Sequence, residues 1–215
     1  MTPHRPKNAK PAAKTLNPAG NARYNSATAL IVVDVQNDFA DPAGSLYVRG
    51  GYQIIPAINA EIRAAVAAGA FVVYTADWHP PLTPHFVSGG GIWPAHCVRD
   101  TPGAAFHPAL SILGPVVRKG VHGEDGYSGF TLVDPKSGRK SSTELDGLLR
   151  KHGIKKLVVC GLATDYCVGA TALDGARLGY ATRVPRRAIR AVNLKPGDGA
   201  TTLAELRAAG VKVVA

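Results

Sequence analysis

A thiol just past the end of a buried strand is the first chemical feature of this chain. Leu157 to Cys160 is a short, apolar, β-branched run of the kind that fully buried strands have. Gly161 breaks it. Thr164 or Asp165 then suits the N-cap of a helix whose apolar residues include Val168, Ala172, Leu173 and Ala176. Cys167 falls in the first turn of that helix. Backbone N–H groups and the helix dipole favour negative charge there, which lowers a thiol's pKa and can hold an oxyanion. Taken alone, the stretch reads more simply as a core cysteine on a buried helix. Three other reactive residues change that balance. Asp34 ends the strand Thr28–Val33, Asp77 follows Phe71–Thr75, and Lys119 ends Pro115–Arg118. A lone Asp or Lys in a loop is ordinary. Four reactive residues at four strand ends of one parallel sheet converge on a single cleft, because such sheets bind ligands outside their carboxyl ends. Cys167 then becomes the candidate nucleophile.

A second constellation is Asp77, His79, His85 and His96. Three of the chain's seven histidines lie in one loop, with a carboxylate two residues before the first. One carboxylate and neutral imidazoles suit a borderline divalent cation: zinc, iron or manganese. Closed tetrahedrally, four protein ligands would make a structural site; a longer Asp contact or added waters would leave room for substrate. His107, His122 and His152 lack such company and read as surface or structural.

The elements that must position these groups alternate. Ile54, Ile55, Ile58, Ile62 and Val66 recur at helical spacing, and Gly69 ends that helix. A loop rich in Pro, Gly and His follows the second strand, and a Gly-rich loop containing Tyr127-Ser-Gly-Phe130 follows the third. Thr143 to His152 reads as a helix, with Leu145, Leu148 and Leu149 inward. Ala181–Val184 and Val211–Val214 are two more strands, with a helix from Asp198 to Ala209 between them. This order predicts an α/β fold: a doubly wound, mainly parallel, six-stranded sheet with helices on both faces, three-layered and Rossmann-like.

Composition limits the remaining choices. The 215 residues carry a net charge of +10, are 46% hydrophobic and 19% charged, and suit one folded domain with a tail. Five of the 25 basic residues fall in residues 1–25, a stretch with no acid and no periodicity. We read 1–25 as a disordered basic leader and 26–215 as the domain. A second cluster, Arg183, Arg186, Arg187, Arg190 and Lys195, would suit nucleic acid. Without aromatic interleaving or a binding motif it reads as a solvated face. Three cysteines without a disulfide framework, no hydrophobic signal core and no bilayer-length apolar run predict a cytoplasmic protein with reduced thiols and no membrane partner.

Several motifs together resemble a known family. Ala29-Leu-Ile-Val-Val-Asp34-Val-Gln-Asn-Asp-Phe39, Asp77-Trp78-His79-Pro-Pro, Trp93-Pro-Ala-His96-Cys97-Val, Lys119-Gly and Cys160-Gly-Leu-Ala-Thr-Asp-Tyr-Cys167-Val are similar to the nicotinamidase (pyrazinamidase) branch of the isochorismatase-like cysteine hydrolases. The likeness runs in order from about Ala29 to Val213. It implies a catalytic triad of Asp34, Lys119 and Cys167, and one divalent metal, zinc foremost, held by Asp77, His79, His85 and His96. It further implies an oxyanion hole from the Ala163 and Cys167 amides, with a cis peptide between Leu162 and Ala163, and a pyridine ring enclosed by Phe39, Trp93 and Tyr127. The implied reaction takes nicotinamide to nicotinate and ammonia through a thioester, in NAD salvage, with the metal orienting the ring nitrogen. The implied partner is that small amide; a homo-oligomer is left open. His85 departs from the family in being followed by Phe86-Val87, and the Gly89–Gly91 and 134–140 loops stand where they would reshape the cleft mouth. Two other readings stand beside this one. An isochorismatase or N-carbamoyl amidohydrolase would share the triad and lack the Asp-His-His-His set. A non-catalytic nucleic-acid binder on the same fold would not need the triad.

Overall fold

The β-branched runs become a twisted parallel sheet. The computed structural model describes residues 23–215. It opens with β1 (Thr28–Val33), a short helix α1 (Asn37–Ala40), α2 (Ile55–Ala67), β2 (Phe71–Asp77) and β3 (Val116–Lys119). Next come β4 (Thr131–Val133), β5 (Lys140–Ser142), α3 (Leu145–Lys151) and β6 (Lys156–Leu162). A π-helical turn, Thr164–Val168, runs into α4 (Gly169–Arg177). The chain ends with β7 (Ala181–Pro185), β8 (Ile189–Arg190), α5 (Asp198–Ala208) and β9 (Lys212–Val214).

The strand order is β3-β2-β1-β6-β7-β9, parallel throughout, and the short β8 pairs with the end of β6. All six residues of β1 are buried, as are six of seven in β6, which explains why both read as continuous apolar runs rather than alternating ones. Each buried Leu, Ile or Val contributes about 1.5–3 kcal/mol relative to exposure. From β1 the chain winds outward through β2 to β3, and from β6 it winds the other way through β7 to β9. With right-handed crossovers, that reversal puts helices on opposite faces and opens a crevice where β1 and β6 meet.

Four details differ from expectation. Arg23, Tyr24 and Asn25 belong to the fold, not to a leader. The Tyr24 hydroxyl and the Arg23 guanidinium each donate at 2.6 Å to Glu61, a buried carboxylate on α2 that Arg187 also reaches at 2.7 Å. The rest of the leader, residues 1–22, lies outside the described residues. On α2, Val66 is exposed and Ala65 takes the inward position, because a 3.6-residue turn carries 66 past the apolar stripe. Neither Thr164 nor Asp165 caps the helix before α4. Ala163 stands at the N-cap, and the Asp165 carboxylate instead accepts from the Val192 and Asn193 amides at 2.9 and 2.7 Å. The 131–142 stretch, read as part of a loop, forms the antiparallel hairpin β4–β5; its strands are too short to show alternation.

Candidate active site

Register brings the first reactive groups together. Asp77 and Lys119 are directly paired residues on β2 and β3, and β1 delivers Asp34 one strand away. Asp34 sits at φ 49°, a left-handed conformation that Asp tolerates better than most residues, and so turns its side chain back over the strand ends. Lys119 Nζ lies 2.8 Å from Asp34 Oδ2, 2.7 Å from Asp77 Oδ1 and 3.6 Å from Cys167 Sγ. Thr75 Oγ1 donates to the second Asp34 oxygen at 2.6 Å. The expected triad therefore meets in one buried cluster with Lys119 at its centre.

The approach of β6 to β1 depends on a missing side chain. Gly161 has φ 117°, and a Cβ there would run into the carbonyl oxygen of Val33. The chain then passes through a cis peptide between Leu162 and Ala163 into the π turn that carries Cys167. Tyr166, within that turn, has non-helical angles of φ −130° and ψ −105°. Its ring packs edge-on to Trp93 at 5.1 Å and to Tyr127 at 5.3 Å. Trp93 Nε1 donates to the Tyr127 hydroxyl at 3.0 Å. These rings, with Phe39, Leu46, Val48, Leu162 and Val192, line an open cleft that Cys167 and the histidines also line.

The electrostatics separate the two carboxylates. Two acids share one ammonium, so the buried cluster has a surplus negative charge and cannot keep both easily ionised. Burial lifts the Asp34 carboxyl above the usual range, against the pull of Lys119. Burial also works against Asp77, but Lys119, His79 and His96 prevail and hold it down to about 2. Burial likewise opposes the charge on Lys119, yet Asp34, Asp77 and Cys167 keep its pKa well above the ordinary value. The two acids are therefore unequal, with Asp34 the easier to protonate and Asp77 the easier to keep ionised. The Cys167 thiol contradicts the expected lowering. Burial pushes it well up, with Asp34 and Asp77 adding to the rise and Lys119 opposing, so the resting sulfur keeps its proton and needs a base.

The histidines form the second centre. One nitrogen each of His79, His85 and His96 lies within 4.8 Å of the others, and all three rings are buried. Asp77, assigned to the same set, stands between the two centres. Its Oδ1 faces Lys119, and its Oδ2 is 3.9 Å from His79 Nε2. Both His79 nitrogens are buried without a hydrogen-bond partner among the described residues. Burial holds His79 down to about 4 despite Asp77, and lowers His96 as well, so these imidazoles are neutral near pH 7. Orphaned, neutral nitrogens beside a carboxylate are costly in an empty interior and fit a divalent cation. His96 Nδ1 donates to Pro94 O at 2.7 Å, which leaves its Nε2 free. Gly120, after Lys119, makes room for the His79 ring, which a Cβ there would strike.

Sequence reasoning passed over several supporting residues. Gln36 brackets Asp77: its Nε2 donates to the Asp77 carbonyl at 2.7 Å, and its Oε1 accepts from the Asp77 amide at 2.9 Å. Asp38 accepts from the Cys97 amide at 2.7 Å and so holds the turn after His96. Gln36 and Asp38 both lie inside the first motif, which marks their positions but not the contacts they make. Thr75 and Tyr166 carried no comparable mark.

The isochorismatase domain profile matches residues 28–215. The chain belongs to the isochorismatase family. Within it, the chain is 43% identical over 196 residues to the nicotinamidase/pyrazinamidase of Mycobacterium tuberculosis, covering 86% of this chain and 97% of that protein. Among solved structures it is similar to the pyrazinamidase of Pyrococcus horikoshii in complex with zinc, at 40% identity and a TM-score of 0.78, covering 87% of this chain and 98% of that one. It is also similar to PnC1 from L. infantum in complex with nicotinate, at 37% identity and a TM-score of 0.79, with 89% and 94% covered. The isochorismatase-family sheet, mainly parallel with its helices, is the fold that the strand-and-helix order predicts.

Proposed function

We propose that the cleft hydrolyses a pyridine carboxamide through a thioester on Cys167. The protein is a hydrolase that converts nicotinamide to nicotinate and ammonia, a step that returns nicotinamide toward NAD. The observation that carries the mechanism is buried Lys119 Nζ, 2.8 Å from Asp34 and 3.6 Å from the sulfur of Cys167, the member of the three that lines the aromatic slot.

Asp34 takes the Cys167 proton as the sulfur attacks the carboxamide carbon. Lys119 offsets the negative charge that moves between carboxylate and sulfur. The Ala163 and Cys167 amides hold the oxyanion; losing one such donor costs about 3 kcal/mol in related chemistry. Asp34 then gives its proton to the departing nitrogen, and ammonia leaves. Water attacks the thioester, Asp34 accepts its proton, and nicotinate departs as the thiol is restored. Phe39, Trp93 and Tyr127 enclose the ring. Asp77, His79, His85 and His96 would hold one divalent cation, zinc foremost, which supplies a Lewis-acidic partner for the ring nitrogen. Three free cysteines suit a reducing compartment, and the cytoplasm is the proposed location. Among the described residues no helix is long and apolar enough to cross a membrane.

Ammonia release from nicotinamide and benzamide, with and without a chelator, tests this reading. Benzamide keeps the carboxamide and lacks the ring nitrogen. Chelation, or His79→Ala, should raise KM for nicotinamide much more than for benzamide. Equal losses with both amides, chiefly in kcat, would instead assign the cation to water activation. Metal-free protein must first be shown folded by its melting curve.

A further inference from the structure

We infer that Asp125 is a positioning residue for the cation site: its carboxylate fixes the His85 ring so that Nε2 is the nitrogen offered to the metal. This rests on reading the three histidines as that site. His85 Nδ1 lies 2.6 Å from Asp125 Oδ1. A carboxylate accepts and cannot donate, so Nδ1 carries the proton and Nε2 keeps its lone pair. His96 is set the same way by a backbone carbonyl, which no substitution removes. Asp125 is thus the side-chain partner that selects a ligand tautomer here.

Charge adds a second reason. Asp77 shares its carboxylate with Lys119 at 2.7 Å, which weakens its pull on a cation. Asp125 brings a further negative charge through the imidazole, and such a contact makes the ring a stronger donor. The residue is also well anchored. Its amide donates to Val133 O at 2.8 Å, and Val133 N donates back to its carbonyl at 2.6 Å, so β4 holds the main chain independently of the side chain. The β4–β5 hairpin thereby aims Asp125 at His85.

Zinc affinity of the full chain, measured by competition with a chromophoric chelator, tests the inference. Asp125→Ala should weaken zinc binding about 10- to 100-fold, and Asp125→Asn less, since the amide oxygen still accepts. Asp125→Glu should recover most of the loss. Cobalt-loaded Asp125→Ala should show a shifted visible spectrum, while the metal-free melting temperature stays at the wild-type value. Zinc affinity within about twofold of wild type in Asp125→Ala would overturn the inference. So would a loss matched by a fall in metal-free melting temperature and not recovered by Glu. If Asp125→Ala fails to fold, Asp125→Asn carries the same comparison. A wild-type chain that binds no zinc would overturn the cation-site reading and this inference with it.

Discussion

Lys119 has no exposed surface and faces two carboxylates and a thiol. Removing any one member leaves the others with an uncompensated charge or proton, so their effects should not add. Cys167→Ala should abolish ammonia release while circular dichroism and melting stay near wild type. Asp34→Asn and Lys119→Met should each lower kcat by orders of magnitude, and the double variant should be little worse than either. Mild effects that multiply would remove the triad. The members of this cluster were legible because each is a chemically distinctive residue at a strand end. Thr75, Gln36 and Asp125 were not, because their roles exist only in contacts across about 40 positions, which periodicity does not reveal. The thiol's raised pKa was missed for a related reason. Helix position is visible in sequence, but the burial that outweighs it is not.

At the level of elements, α2 carries the clearest case of a side chain used for assembly. Glu61 collects Tyr24, Arg23 and Arg187 and so joins the first described residues and the 186–188 turn to one helix. Burial works against its charge, but the three donors prevail and keep its carboxyl below the ordinary 4.5. A depressed carboxylate stabilises fully above its unfolded-state pKa, and the contribution fades as pH falls through the lower folded-state value. Glu61→Gln should therefore lower the melting temperature at pH 7, with the effect moderated because the Arg23 and Arg187 partners are partly exposed to water. The gap from wild type should narrow in acid below that range. A gap independent of pH would show that packing, not charge, carries the effect. The helix itself was readable from its isoleucines; its buried acid looked like any solvent-facing Glu, because partners that neutralise it come from 38 residues before and 126 after.

Across the whole molecule, the two windings of the sheet contribute unlike chemistry. β1 to β3 and their loops bring Asp34, Asp77, Lys119 and the histidines; β6 and the π turn after it bring Cys167. The overall architecture was legible because alternating strands and helices leave few ways to wind, while the β4–β5 hairpin, too short for any period, was not. That division has a practical consequence. Ser137 and Gly138 are exposed in the turn between β4 and β5, and a cut there separates nucleophile from base. Produced as two pieces, 1–137 and 138–215, neither should release ammonia from nicotinamide alone. Mixed or co-expressed, they should regain turnover as β1 zips against β6. Catalysis then becomes a readout of non-covalent association, usable to count how often the two pieces find each other. Activity in either piece alone would mean that the reacting groups do not lie where the windings meet.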